Sequence, residues 1–246
     1  MSQDLNYAPP LAIGGVGGSG TRIFAELLMR AGIAMGENLN VSNDNLDFTR
    51  CFKRKDWFEN YPAPAQLSQA WQDFVAGQPI AQHVEAYRWG WKEPNTHLFL
   101  GALIDNVRGL KYIHILRNGL DMAFSSNQGQ LRNWGAYMLG TDAPLAVTPE
   151  NSLSYWIAAN ERAIKTGQQL GDRFLLLRYE DLCAYPEREI GRLFAFANIA
   201  EDVAPYTALI APRSIGRHKQ QDLSRFPPTQ IARIEAIMKI AGSEPL

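Results

Sequence analysis

Residues 14 to 22 read Gly-Gly-Val-Gly-Gly-Ser-Gly-Thr-Arg, and no other stretch limits the fold as much. They follow the apolar run Leu11-Ala12-Ile13 and precede the helical pattern Ile23-Phe24-Ala25-Glu26-Leu27-Leu28. A strand, a glycine-rich turn and a helix in that order make an anion cradle. Bare backbone N–H groups face the ligand, and the helix N-terminus adds partial positive charge. A tight turn without a ligand does not need five glycines in nine residues.

The kinase-type phosphate loop, G-x-x-x-x-G-K-[ST], does not fit this run. With Gly15 and Gly20 as its glycines, Thr21 stands where Lys is required and Arg22 where Ser or Thr should hold magnesium. The loop therefore points to another phosphate-bearing donor. A P-loop nucleotide or sugar kinase is the runner-up, weakened by the missing lysine. A non-catalytic nucleotide-binding protein is a third reading.

At 246 residues the chain is compatible with one α/β domain spanning 1–246. Its net charge of −1 gives no support for a nucleic-acid or membrane-surface partner. The first ten residues are polar, without a basic region followed by an apolar stretch, and no run reaches the length of a membrane span. Cys51 and Cys183 lie far apart and make neither a disulfide framework nor a metal site alone. Free thiols and a cytoplasmic location are the expectation.

Apolar periodicity sets the elements. Strands are expected at 11–16, 87–91, 111–116 and 174–177. Helices are expected from the loop to about Arg30, at 65–76, after Asn95 or Thr96 as cap, from Leu120 or Asp121, and at 151–170, 186–197 and 227–241. The Asn- and Asp-rich residues 36–50 and the stretch 127–150 read as irregular. Strands alternating with helices imply a three-layer, P-loop-like α/β fold with a mostly parallel central sheet flanked by helices.

In such sheets ligands bind beyond the carboxyl ends of the strands. Three strand ends carry groups suited to phosphate or sulfate: the loop with Gly17, Gly18, Ser19, Gly20, Thr21 and Arg22; Lys92; and Arg117 with Ser125 eight residues later. A helix starting between Arg117 and Ser125 returns the serine to the strand end. Arg forks onto phosphate oxygens, and Ser adds a hydrogen bond.

On these residues the chain resembles the sulfotransferase superfamily that uses 3′-phosphoadenosine 5′-phosphosulfate. Ser19-Gly20-Thr21 looks like its 5′-phosphosulfate loop. Ile115-Leu116-Arg117 through Ser125 looks like its 3′-phosphate motif, and Lys92-Glu93-Pro94 is similar to the Lys-x-Pro strand end of glycan sulfotransferases. Leu177-Arg178-Tyr179-Glu180-Asp181-Leu182 resembles a segment of bacterial members. Arg213-Ser214-Ile215-Gly216-Arg217 falls where the family closes a Gly/basic loop over the nucleotide. The resemblance spans residues 11 to about 220. Two positions depart from it: Gly18 replaces a Lys or Arg that steadies the bridging oxygen, and Gly119 replaces a Pro, which loosens the turn.

The resemblance implies metal-independent, in-line transfer of a sulfuryl group to a hydroxyl or amine of a small-molecule, glycan or lipid acceptor, leaving adenosine 3′,5′-bisphosphate. Arg22 or Lys92 must then supply the charge missing at Gly18. A general base is needed; Asp44 and Asp47 lead, with Glu37 and His97 as other choices. Gly216 and Arg217 join the nucleotide site. Asp121 and Glu180 are possible structural partners of Arg117, and Asp181 is read as structural too. His114 reads as a hydrogen-bonded core histidine, while His83 and His218 carry little signal. Six Trp and nine Tyr tilt the acceptor toward a carbohydrate only if they are not core.

Overall fold

A computed structural model of the chain describes residues 9–78, 88–211 and 215–242. At its centre lie four parallel strands, β1 (Leu11–Gly15), β2 (Gly90–Lys92), β3 (Lys111–Leu116) and β4 (Phe174–Arg178), in the order β2-β1-β3-β4. Each of the four runs marked by periodicity supplies one strand. Tyr87, expected at the start of the second, lies outside the described residues, as do His83, Arg213 and Ser214.

The described helices are α1 (Thr21–Arg30), α2 (Leu46–Phe52), α3 (Asp56–Glu59), α4 (Pro64–Ala76), α5 (Leu100–Asn106) and α6 (Gly119–Ala123). After them come α7 (Gly129–Leu139), α8 (Pro149–Gly167), α9 (Tyr179–Ala184), α10 (Pro186–Phe196), α11 (Ala204–Thr207) and α12 (Pro228–Gly242). None is long and apolar enough to cross a membrane.

Alternation along the strands splits the core into two layers. Leu11, Ile13, Ile113, Ile115 and Leu177 pack on one face against Phe24, Leu27 and Leu28 of α1 and Ile190, Leu193 and Phe194 of α10. Ala12, Tyr112 and Leu116 face the other way, into a layer rich in aromatics from α2, α4, α7 and α8. All six tryptophans are buried, so they provide core and not a sugar-stacking face. In this layer Phe48 stacks on Phe52 at 4.3 Å and on Trp91 at 5.2 Å. Burial of each such ring is worth about 2 kcal/mol.

Two stretches read as irregular contain helices. Residues 46–52 form α2 because Asn45 stops the preceding loop: its Oδ1 accepts from the Phe48 N–H at 2.9 Å and its Nδ2 donates to the Met35 carbonyl at 3.0 Å. Residues 129–139 form α7, whose glycines at 129 and 135 obscure the spacing of Leu131 and Trp134. A 3-10 turn covers Pro94–Phe99, and Glu93, not Asn95 or Thr96, caps it through the Asn95 N–H at 2.6 Å.

Asn45 is wholly buried with both ends of its amide engaged. Asn45→Ala is expected to lower the unfolding free energy by about 1–3 kcal/mol in a urea titration, combining a lost cap with an orphaned carbonyl. A loss below about 0.5 kcal/mol would contradict this account of α2.

Candidate active site at the strand ends

The loop leaves β1 at Gly15 and enters α1 at Thr21. Ser19 closes it from within: its N–H and its Oγ both donate to the Val16 carbonyl, at 3.0 and 2.6 Å. Its hydroxyl is therefore committed to shaping the loop. Gly20 precedes α1 with φ 87°, and the first N–H groups of a helix have no intrahelical acceptor. Gly18 sits at φ 98°, a backbone region that resists any side chain. A Cβ there would lie 3.4 Å from Met122 Cε and 3.5 Å from Ser125 Oγ. This loop shape suits glycine and brings Ser125 alongside.

Arg117 follows β3 and reaches across to the loop. It is 7% exposed, its Nη1 donates to the Gly18 carbonyl at 3.2 Å, and its guanidinium lies 4.9 Å from the centre of the Tyr179 ring. The turn after it is not loose. Asn118 Oδ1 accepts from the Leu120 and Asp121 N–H groups at 2.9 and 3.3 Å, and the Asn118 N–H donates to Glu180 Oε1 at 2.9 Å. Gly119 packs under the Trp156 indole, where a Cβ would come within 2.8 Å. Close packing, not flexibility, requires this glycine.

Asp121 holds the late loop. Its carboxylate accepts from the Gly216 N–H at 2.7 Å, the His218 N–H at 3.0 Å and His218 Nδ1 at 2.6 Å. Arg217 Nη1 donates to the Asp121 carbonyl at 3.2 Å. Burial would raise the Asp121 carboxyl, but these hydrogen bonds outweigh it and hold the group below the usual carboxylate range.

Lys92 ends β2, in register with Ile13 just before the glycine loop. Its ammonium is buried and donates to Asp44 Oδ1 at 2.5 Å and the Ser42 carbonyl at 3.0 Å. Asn40 builds the turn that presents Asp44: its Oδ1 accepts from the N–H groups of Ser42 and Asp44, and its Nδ2 donates to Asp44 Oδ2 at 2.9 Å. Asp47 does not reach Lys92. It meets Asn38, Gln78 and Arg50, and with Glu37 it lines a separate cavity of about 190 Å³.

Arg22 is exposed on α1 and lines a cavity of about 310 Å³ with Gly20, Ile23, Tyr179, Leu182 and Ile210. This places it toward the Tyr179 side of the loop, whereas Ser125 lies over Gly18.

A model of the sulfotransferase family matches residues 9–202. The chain belongs to the sulfotransferase family. Among solved structures, the sulfotransferase domain of the curacin biosynthetic pathway superposes with a TM-score of 0.61 at 14% identity, covering 97% of this chain and 99% of that one. The sulfotransferase domain of the Synechococcus PCC 7002 olefin synthase gives 0.58 at 16%, covering 100% and 99%. Sulfotransferase STF1 from Mycobacterium tuberculosis gives 0.53 at 12%, covering 97% and 78%. No curated protein sequence matches.

In this sulfotransferase fold a buried polar cluster backs the loop. Gln130 Nε2 donates to the Gly15 carbonyl at 3.2 Å, and its Oε1 faces His97 Nε2 at 3.2 Å and Tyr155 Oη at 3.4 Å. Burial pulls His97 down to about 3, with His114 adding to the effect. His114 is the expected core histidine, between Tyr112 Oη at 2.7 Å and Asn160 Oδ1 at 2.9 Å, and burial pulls it down to about 4. Burial pushes Glu93 up to about 7, against its hydrogen bonds from Asn95. Sequence reasoning missed His218, Asn118 and Gln130. None of the three carried a distinguishing signal in the sequence.

These three buried groups set a pH dependence. Between about pH 4.5 and 6.5 the unfolded chain carries protons on both imidazoles that the folded chain lacks, while folded Glu93 holds one that the unfolded chain lacks. Unfolding therefore takes up about one proton net, and stability falls by roughly 1.4 kcal/mol per unit as pH drops through this window. Glu93→Gln removes the opposing proton and should steepen the slope to about two protons. Denaturant titrations across the window measure it, and an unchanged slope would refute the assignment.

Proposed function

We propose that the chain transfers a sulfuryl group from 3′-phosphoadenosine 5′-phosphosulfate to a hydroxyl or amine of a small-molecule, glycan or lipid acceptor. One observation carries the reading: Arg117 and Ser125, from the turn after β3, converge on the left-handed Gly18 of the loop after β1. Two anion-binding elements that touch each other suit a nucleotide with phosphates at two ends.

In this reading the loop N–H groups of Gly17, Gly18, Gly20 and Thr21, at the α1 N-terminus, take the 5′-phosphosulfate, while Ser19 shapes the loop through Val16. Arg117 and Ser125 take the 3′-phosphate, the latter as a neutral donor. The cavity beside Tyr179 takes the nucleoside, with Arg22 at its rim, and the segment of Gly216 and Arg217, tied to α6 by Asp121, closes over it.

An acceptor oxygen attacks sulfur as the bond from sulfur to the bridging 5′-oxygen breaks. Negative charge grows on that oxygen, and cationic or N–H donors aimed at it lower the barrier. Lys92 is a buried cation at the end of the strand beside β1, and with Arg117 assigned to the 3′-phosphate it takes the role of the cation missing at residue 18. Asp44, whose oxygens each retain a lone pair beyond their bonds to Lys92 and Asn40, receives the acceptor's proton. Asp47 faces its own partners and is left without a catalytic part.

Calorimetry tests the donor. Arg117→Ala should weaken adenosine 3′,5′-bisphosphate by about 10- to 100-fold, the worth of a charged hydrogen-bond pair, and adenosine 5′-phosphate far less. Equal losses for both, or a preference of the parent for ATP with magnesium, would sink the reading. Lys92→Met should lower transfer of labelled sulfuryl across an acceptor panel by about 100-fold or more while the bisphosphate still binds.

A further inference from the structure

The exposed side chain of Asn127 lies directly over the loop, two residues beyond Ser125. A Cβ on Gly17 would sit 3.5 Å from Asn127 Nδ2 and 3.7 Å from its Oδ1, and a Cβ on Gly18 would sit 3.7 Å from Asn127 Cβ. The amide thus covers the two residues that carry no side chains of their own. The Asn127 N–H donates to Ser125 Oγ at 3.2 Å, which fixes the two side chains relative to each other and leaves the serine proton for a ligand.

We propose that Asn127 is a donor-binding residue whose Nδ2 donates a hydrogen bond to a terminal oxygen of the sulfuryl group held in the glycine loop. The inference rests on the phosphosulfate reading of the loop given above. Its physical basis is local. Loop glycines 17 and 18 supply only backbone N–H groups, and the second of them cannot carry a cation without left-handed strain at φ 98°. An anion seated there still exposes oxygens on the side away from the backbone. The side chain facing that side is an amide with two N–H donors, neutral and short enough to stay in place. A neutral roof also leaves the departing sulfuryl group less tightly held than a second cation would, while orienting it for attack.

The position makes a clean test because Asn127 is exposed and packs in no core layer. Calorimetry would compare the parent, Asn127→Ala and Asn127→Asp with two ligands, the intact phosphosulfate donor and adenosine 3′,5′-bisphosphate. Thermal unfolding of each variant checks that the fold is retained. The bisphosphate lacks the sulfuryl group, so the expected result is selective. Asn127→Ala should weaken the intact donor about 5- to 10-fold and the bisphosphate less than about 2-fold. Asn127→Asp, which sets an acceptor-only carboxylate against an anion, should widen the difference beyond about 10-fold. Equal losses for the two ligands, or donor affinity unchanged in Asn127→Asp, overturn the role of Asn127 and leave the loop assignment standing. Failure of the parent to bind either ligand overturns the phosphosulfate reading and this inference with it.

Discussion

The pairing of β1 with β3 is the constraint on which the site depends. Their register sets Gly15 beside Ile115, so both strands stop at nearly the same level and their turns emerge side by side. Arg117, two residues past that level, needs no long excursion to reach the Gly18 carbonyl. Parallel strands impose this arrangement because their carboxyl ends must share an edge of the sheet. The same register places Ile13 beside Lys92 on the other flank of β1. A cation on one side and a guanidinium on the other then follow from the sheet alone.

Behind this edge the loop is held by neutral groups. Gln130 joins the Gly15 carbonyl to His97 and Tyr155, so the strand end, the turn after β2 and helix α8 are fastened at one point. Low-dielectric burial keeps His97 uncharged.

What was legible in the sequence was local. Five glycines between a strand and a helix announce a loop, and Arg117 and Ser125 eight residues apart announce a strand end followed by one short helix. Strands β1, β3 and β4 were readable because each lies in a compact apolar run, whereas β2 is only Gly90–Lys92 and overlaps the expected 87–91 at two residues. The choice between Asp44 and Asp47 was not readable. Both lie in one polar stretch, and only the turn built by Asn40 and the helix start set by Asn45 send them to different partners. Helix α7 was hidden because two glycines blur its apolar spacing. The contact of Asp121 with His218 joins residues 97 positions apart, and no pattern within either segment encodes it.

That contact also governs how the two halves of the chain can be exchanged. The carboxylate of Asp121 collects the Gly216 N–H, the His218 N–H and the His218 ring, so the path of the late segment is written into a residue of α6. A graft of residues 215–220 from a relative would arrive without its own anchor unless position 121 were grafted too. Segments separated by nearly a hundred residues behave, for recombination, as one inheritable piece. Chimeras within this family are best cut so that α6 and the late loop travel together.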